Sequence, residues 1–124
     1  MASVYPKNFR KAGLVLFVMA RALEKLDLDC EVLGVSTGQE ALDAVEDHAI
    51  DLVITDMRMP DMDGVELTER LRTGGCEAVI VWITAYGCQE LRAEAERLRV
   101  FRCVEKPLEV NLIRRVAREA LQSA

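Results

Sequence analysis

The sequence predicts an α/β fold: a three-layer, doubly wound sandwich built on a five-stranded parallel sheet. Three observations carry that expectation. Short apolar runs of strand length alternate with segments patterned at helical spacing. The runs are apolar on successive residues, as strands covered on both faces by helices are. No internal repeat, low-complexity tract or linker divides the 124 residues, so residues 1–124 are read as one domain, whose core buries about two thirds of its extended surface.

Composition narrows the function. With 51% hydrophobic and 30% charged residues, the chain reads as an ordinary globular protein rather than a disordered or fibrous one. Its net charge of -5 argues against direct nucleic-acid binding, because attraction to phosphates needs a basic face. The longest apolar run, Ala12 to Ala20, is far shorter than the roughly 20 residues a membrane span requires. It also lacks the flanks of a signal peptide, so a cytoplasmic protein without a membrane partner is expected. Cys30, Cys76, Cys88 and Cys103 contain no C-x-x-C pair and no histidine at ligand spacing. They predict separate core or surface thiols, with neither a zinc site nor a disulfide framework.

The elements follow in order. Leu14 to Val18 is the first strand. In the other possible register, Val4 and Tyr5 start the sheet and Asn8 to Leu26 is one helix; Leu14 to Ala20 would then be apolar all round, too wide a face for the outside of a sandwich. In the preferred register a short helix, Met19 to Leu26, completes a crossover over Met19 to Asp29, near the minimum of about a dozen residues. Glu31 to Ser36 is the second strand. Thr37 and Glu40 are spaced as a capping box for the helix in "STGQEALDAVEDH", whose apolar stripe is Ala41, Leu42 and Val45.

Leu52 to Thr55 is the third strand, and the next helix, Val65 to Arg72, starts past Gly64 and stops at Gly74-Gly75, a pair that extends a helix poorly. Ala78 to Thr84 is the fourth strand, Cys88 to Leu98 an exposed helix and Val100 to Val104 the fifth strand. Val110, Ile113, Val116, Ala117, Ala120 and Leu121 recur at helical spacing along a last helix, Val110 to Gln122. The right-handed crossover rule then stacks five strands and five helices as a doubly wound sandwich, with chemistry at the carboxyl ends of the strands.

Three strand exits carry reactive groups: Asp56 after the third, Thr84 followed by Ala85 after the fourth, and Lys106 followed by Pro107 after the fifth. A carboxylate can attack phosphorus, an ammonium can neutralise phosphoryl oxygens, and a hydroxyl can donate to one of them. Pro107 restricts the backbone of Lys106 and so helps to aim it, and Ala85 leaves room for the group transferred.

"DLVITDMRMPDMDG" (51–64), "TAYG" (84–87) and "EKPL" (105–108), in that order and spacing, resemble the receiver domain of bacterial two-component response regulators, from about Ala12 to Ala120. The resemblance implies a flavodoxin-like sheet of strand order 2-1-3-4-5. It implies that Asp56 accepts a phosphoryl group from a histidine kinase or phosphotransfer protein, with Thr84 as switch hydroxyl and Lys106 as the conserved-type lysine. It further implies a magnesium cofactor, with Asp56 and the Arg58 backbone carbonyl among its ligands. Such a module is no enzyme beyond self-catalysed phosphotransfer and autodephosphorylation. Its output partner would dock on the fourth helix, fifth strand and fifth helix.

Two features depart from the family pattern. "KAGLVLFVMARALEKL" holds no acid between Lys11 and Glu24, where the family ends its first strand with a magnesium-binding acidic pair. "LVLFV" resembles the family strand up to those acids and "MARALEKL" the last turns of the family's first helix. The aromatic switch position, three residues before the lysine, is Cys103, and a thiol cannot signal by ring rotation. Two readings therefore stand: a phosphorylated switch, or a pseudo-receiver that keeps the interaction surface without taking phosphate. An enzyme or nucleotide binder on the same layers ranks last, since no Gly-rich loop follows the first strand and "DMR" lacks the second aspartate of a D-x-D phosphatase.

The remaining polar residues have simpler expectations. Asp61 and Asp63 are turn formers. Reading "DMDG" as a calcium loop fails, because it puts Met59 at the first ligand and Arg70 at the closing glutamate. His48, the single histidine, is a surface residue at a helix end, so no Ser-His or Cys-His nucleophile exists. Trp82 fills the core, and "RAEAERLR" is a solvated helix with opposite charges at helical neighbours.

Overall fold

The computed structural model describes residues 14–18, 31–85, 87–107 and 109–123. Five strands, β1 (Leu14–Val18), β2 (Glu31–Val35), β3 (Leu52–Asp56), β4 (Val79–Thr84) and β5 (Arg102–Glu105), form one sheet of order β2-β1-β3-β4-β5. Every neighbouring pair is parallel. Four helices are described: α1 (Gly38–Asp47), α2 (Gly64–Thr73), α3 (Arg92–Arg97) and α4 (Val110–Ser123). The helix expected over Met19 to Leu26, with its crossover, lies outside the described residues.

Alternation within the strands builds two cores. Val15, Phe17, Ile54, Val81 and Ile83 face Ile113, Val116, Ala117 and Ala120 of α4. Leu16, Val18, Val53, Ile80 and Trp82 face Ala41 and Ala44 of α1 and Leu67 and Leu71 of α2. Successive residues of β1 thus enter opposite cores, which is why Val15 to Val18 are all buried and why this segment reads as apolar throughout.

Side-chain caps set where α1 and α2 begin. Thr37 Oγ1 accepts from the Glu40 amide at 3.1 Å, while Glu40 Oε1 accepts from the Ser36 amide at 2.8 Å. The reciprocal arm of the capping box therefore lands one residue before the cap. Asp63 is more than a turn former: its Oδ1 accepts from the Glu66 amide at 2.7 Å and caps α2. At the far end Gly75 takes a φ of +91°, a left-handed turn that glycine adopts without steric cost.

Three expectations are corrected near the carboxyl-terminal half of the sheet. The helix expected over Cys88 to Leu98 is only Arg92–Arg97. Residues 88–90 are instead a turn, with the Leu91 amide bonded to the carbonyls of Gly87 and Cys88, and no residue of α3 is buried to hold a longer helix in place. The fifth strand starts at Arg102 rather than Val100. Arg99 adopts a φ of 59° and the Val100 amide returns to the Ala95 carbonyl at 2.8 Å, so Val100 closes the helix instead of pairing in the sheet. Finally, Cys88 and Cys103 are joined as a disulfide, their Cα atoms 5.9 Å apart, against the expectation of separate thiols. The fold carries the turn after β4 over β5, a proximity that the intervening sequence does not announce. Cys76 is free and half-buried.

Candidate functional site

Parallel register aligns the strand exits. Asp56 pairs with Ile83, and Thr84 with Glu105, so each residue of interest sits one step beyond its neighbour's partner. Two backbone bonds carry the ladder past the strand ends: the Met57 amide to the Ile83 carbonyl at 3.1 Å, and the Lys106 amide to the Thr84 carbonyl at 2.8 Å. Asp56, Thr84 and Lys106 are therefore fixed to one edge of the sheet by main-chain geometry.

At that edge Lys106 Nζ donates to Asp56 Oδ2 at 2.9 Å, and the Asp56 side chain is 18% exposed. The other oxygen, Oδ1, has a long contact with the Arg58 amide at 3.4 Å. The ammonium thus holds one carboxylate oxygen and leaves the second facing the loop with a weak partner. Thr84 is 7% exposed at the end of β4, and the Lys106–Pro107 peptide is cis. Arg58 is exposed, and its backbone bridges to Asp63.

The loop between β3 and α2 is anchored by residues whose sequence signature is only that of a turn. Asp61 Oδ1 and Oδ2 accept from the amides of Gly38 and Gln39, both at 2.9 Å. Those two amides belong to the first turn of α1, where the helix offers them no acceptor and a carboxylate satisfies them well. They hold the Asp61 carboxyl below its ordinary range. A side chain at Gly38 would strike the Met62 thioether, and one at Gly64 would come within 2.9 Å of the Asp56 carbonyl. At Gly38 the flexible Met62 side chain can move aside, whereas Gly64 is needed for the close approach of the Asp56 and Met57 backbone.

Behind the site, Trp82 is fully buried and donates from Nε1 to Thr68 Oγ1 at 2.8 Å; Thr68 in turn donates to the Gly64 carbonyl at 2.8 Å. This chain ties β4 to the first turn of α2. Trp82 is a core residue, as expected, and Thr68 is a partner that its place in a polar stretch of helix concealed.

For a magnesium ion, the donors that the resemblance implies are the Asp56 carboxylate, whose Oδ2 already accepts from Lys106, and the Arg58 backbone carbonyl. Among the described residues no group of three or more His, Cys, Asp or Glu is placed to hold a metal. One carboxylate can serve magnesium where phosphate and water complete the octahedron. No described helix is long and apolar enough to cross a membrane.

The chain belongs to the response regulator receiver domain family, whose model matches residues 12–118. Among curated relatives, the regulatory protein LuxO of Vibrio cholerae is 29% identical over 102 residues, 82% of this chain and 22% of that protein. The sensor histidine kinase RcsC of Salmonella typhimurium is 30% identical over 97 residues, 78% of this chain and 10% of that protein. The chain therefore spans a tenth to about a fifth of these relatives. Among solved structures, the signal receiver domain of a putative LuxO repressor protein from Vibrio parahaemolyticus superposes with a TM-score of 0.82 at 22% identity. It covers 90% of this chain and 91% of that one. A signal receiver domain of an HD domain-containing protein from Pseudomonas fluorescens gives 0.80, also at 22%, covering 91% and 89%. These likenesses establish the receiver fold with its 2-1-3-4-5 sheet.

Proposed function

We propose that Asp56 is a phosphoacceptor in two-component signalling and that residues 1–124 act as one receiver-like unit. The observation that carries the reading is the Asp56–Lys106 pair at 2.9 Å, with Thr84 held beside it by the register of β4 and β5. Asp56 Oδ1 attacks the phosphorus of a phosphohistidine or small phosphodonor. The bond to the leaving group breaks as the acyl phosphate forms. Lys106 neutralises the phosphoryl oxygens and the Thr84 hydroxyl donates to one of them. Magnesium, held by Asp56 and the Arg58 carbonyl, would supply further charge neutralisation.

The acyl phosphate biases a two-state equilibrium and so changes partner binding. The donor is a histidine kinase or phosphotransfer protein, and the output partner docks on α3, β5 and α4. The module works in the cytoplasm and has no catalytic role beyond its own phosphorylation and dephosphorylation. The family membership supports this reading. Incubation with acetyl phosphate and magnesium, followed by intact mass, tests it: one phosphoryl addition that Asp56→Asn abolishes is expected, and an addition that survives the substitution sinks it.

A second reading rests on the lack of any acid between Lys11 and Glu24 and on Cys103 at the aromatic switch position. A pseudo-receiver would keep the surface and take no phosphate, and efficient labelling of Asp56 excludes it.

A further inference from the structure

We propose that Cys88 and Cys103 are a reversible thiol–disulfide modification site, formed by exchange with small disulfides, that clamps the loop after Thr84 to the edge strand. The geometry permits the bond in the native fold, since a Cα separation of 5.9 Å lies inside the range that disulfides span. Both residues are half-buried, so a small reagent can reach them while a protein-sized one meets more resistance. Cys103 lies on β5, an outer strand of the sheet, and Cys88 lies in the turn after β4. In a reducing compartment a bond of this accessibility belongs to the transient, sensing class rather than the structural one.

Formation balances as two exchange steps. One protein thiolate attacks a sulfur of the small disulfide, forming a mixed disulfide and releasing one small thiolate. The second protein thiolate attacks the protein sulfur of that mixed disulfide and releases the other. Two protein thiols give up two electrons and two protons, and the small disulfide becomes two thiols; a dithiol reductant reverses the sequence.

The bond matters because of what it spans. Thr84 is paired with Glu105, and Cys103 with Trp82, so the disulfide adds a covalent tie between the turn after β4 and β5 beside the last rungs of the β4–β5 ladder. The ring that it closes holds residues 88–103, and Cys88 follows Thr84 by four positions. Apart from that bond, Cys88 is tied to β5 among the described residues by its amide, which donates to Glu105 Oε2 at 3.3 Å. Oxidation therefore holds the turn that follows Thr84 against β5, and reduction frees that turn while the β4–β5 ladder stays in place. The consequence for phosphorylation rests on the reading of Asp56 as phosphoacceptor.

The test uses the full chain after equilibration with oxidised glutathione or with dithiothreitol. Alkylation and intact mass count the thiols, hydrogen exchange follows residues 85–91, and acetyl phosphate labels Asp56. Oxidation is expected to remove two of the four thiols, to slow exchange in the loop, and to slow labelling by about fivefold or more, the lower range of coupling between two sites. Cys88→Ser and Cys103→Ser should each make loop exchange and labelling indifferent to redox state. All four thiols remaining alkylatable, or a disulfide that leaves loop exchange unchanged, overturns the clamp. If thiols and exchange respond while Asp56 stays unlabelled in both states, the clamp stands and the phosphoacceptor reading falls. Equal labelling with unchanged exchange has the opposite meaning.

Discussion

Thr68→Val removes one oxygen from the centre of the molecule and keeps the shape of the side chain. Thr68 and Trp82 are both fully buried, and the threonine hydroxyl is the acceptor for the indole N–H at 2.8 Å while donating to the Gly64 carbonyl at 2.8 Å. Valine leaves that indole donor without its acceptor in a dry site, a loss of about 1–3 kcal/mol. We take about 2 kcal/mol, which for a domain of this size lowers Tm by roughly 8 °C. Urea unfolding followed by the fluorescence of the single tryptophan measures it directly. Thr68→Ser is the control: it keeps the acceptor and loses only a buried methyl, worth about 1 kcal/mol. The valine variant should be the less stable of the two. A valine variant as stable as the serine one would refute the role given to the Trp82–Thr68–Gly64 chain.

Other substitutions probe the loop and the site. Lys106→Met removes the ammonium from Asp56 and should slow phosphodonor labelling by about a hundredfold or more, read by intact mass, with little change in the urea midpoint. Gly64→Ala puts a methyl within 2.9 Å of the Asp56 carbonyl; the backbone must shift, and a stability loss of about 1–3 kcal/mol is expected by urea titration. Asp61→Asn tests the cap on α1. The two helix amides hold the carboxyl below its ordinary value, so its contribution is present in full above that ordinary value and disappears as pH falls through the folded one. Wild type should exceed the variant in stability at neutral pH, and acid titration of both by circular dichroism should close the gap; a gap that widens in acid contradicts the cap.

Much of this fold is legible because burial on both faces leaves an unmistakable trace. Leu14 to Val18, Leu52 to Thr55 and Val79 to Thr84 are nearly unbroken apolar strands, and the last two run out into the polar groups Asp56 and Thr84. The parallel register then does the rest, placing Lys106 beside Asp56. What was less legible depends on contacts between distant segments. Asp61 sits in a turn by its sequence, yet it works as a cap for α1, 22 residues earlier at Gln39. Thr68 lies on a helix whose apolar stripe gives no sign of a buried hydroxyl. Cys88 and Cys103 are 15 residues apart with no spacing motif, and only the return of the chain after α3 brings them together. Arg99, with its left-handed turn, shortens the expected fifth strand, because an arginine gives none of the warning that a glycine does.

Phosphate transfer to Asp56 decides between a working receiver and a pseudo-receiver. The direct measurement is intact mass of the reduced chain and of Asp56→Asn after incubation with acetyl phosphate, with and without magnesium. A single phosphoryl addition to wild type, greater with magnesium and missing from the variant, is the expected result. No addition to wild type under either condition would contradict the phosphoacceptor assignment and leave a pseudo-receiver that acts through its surface.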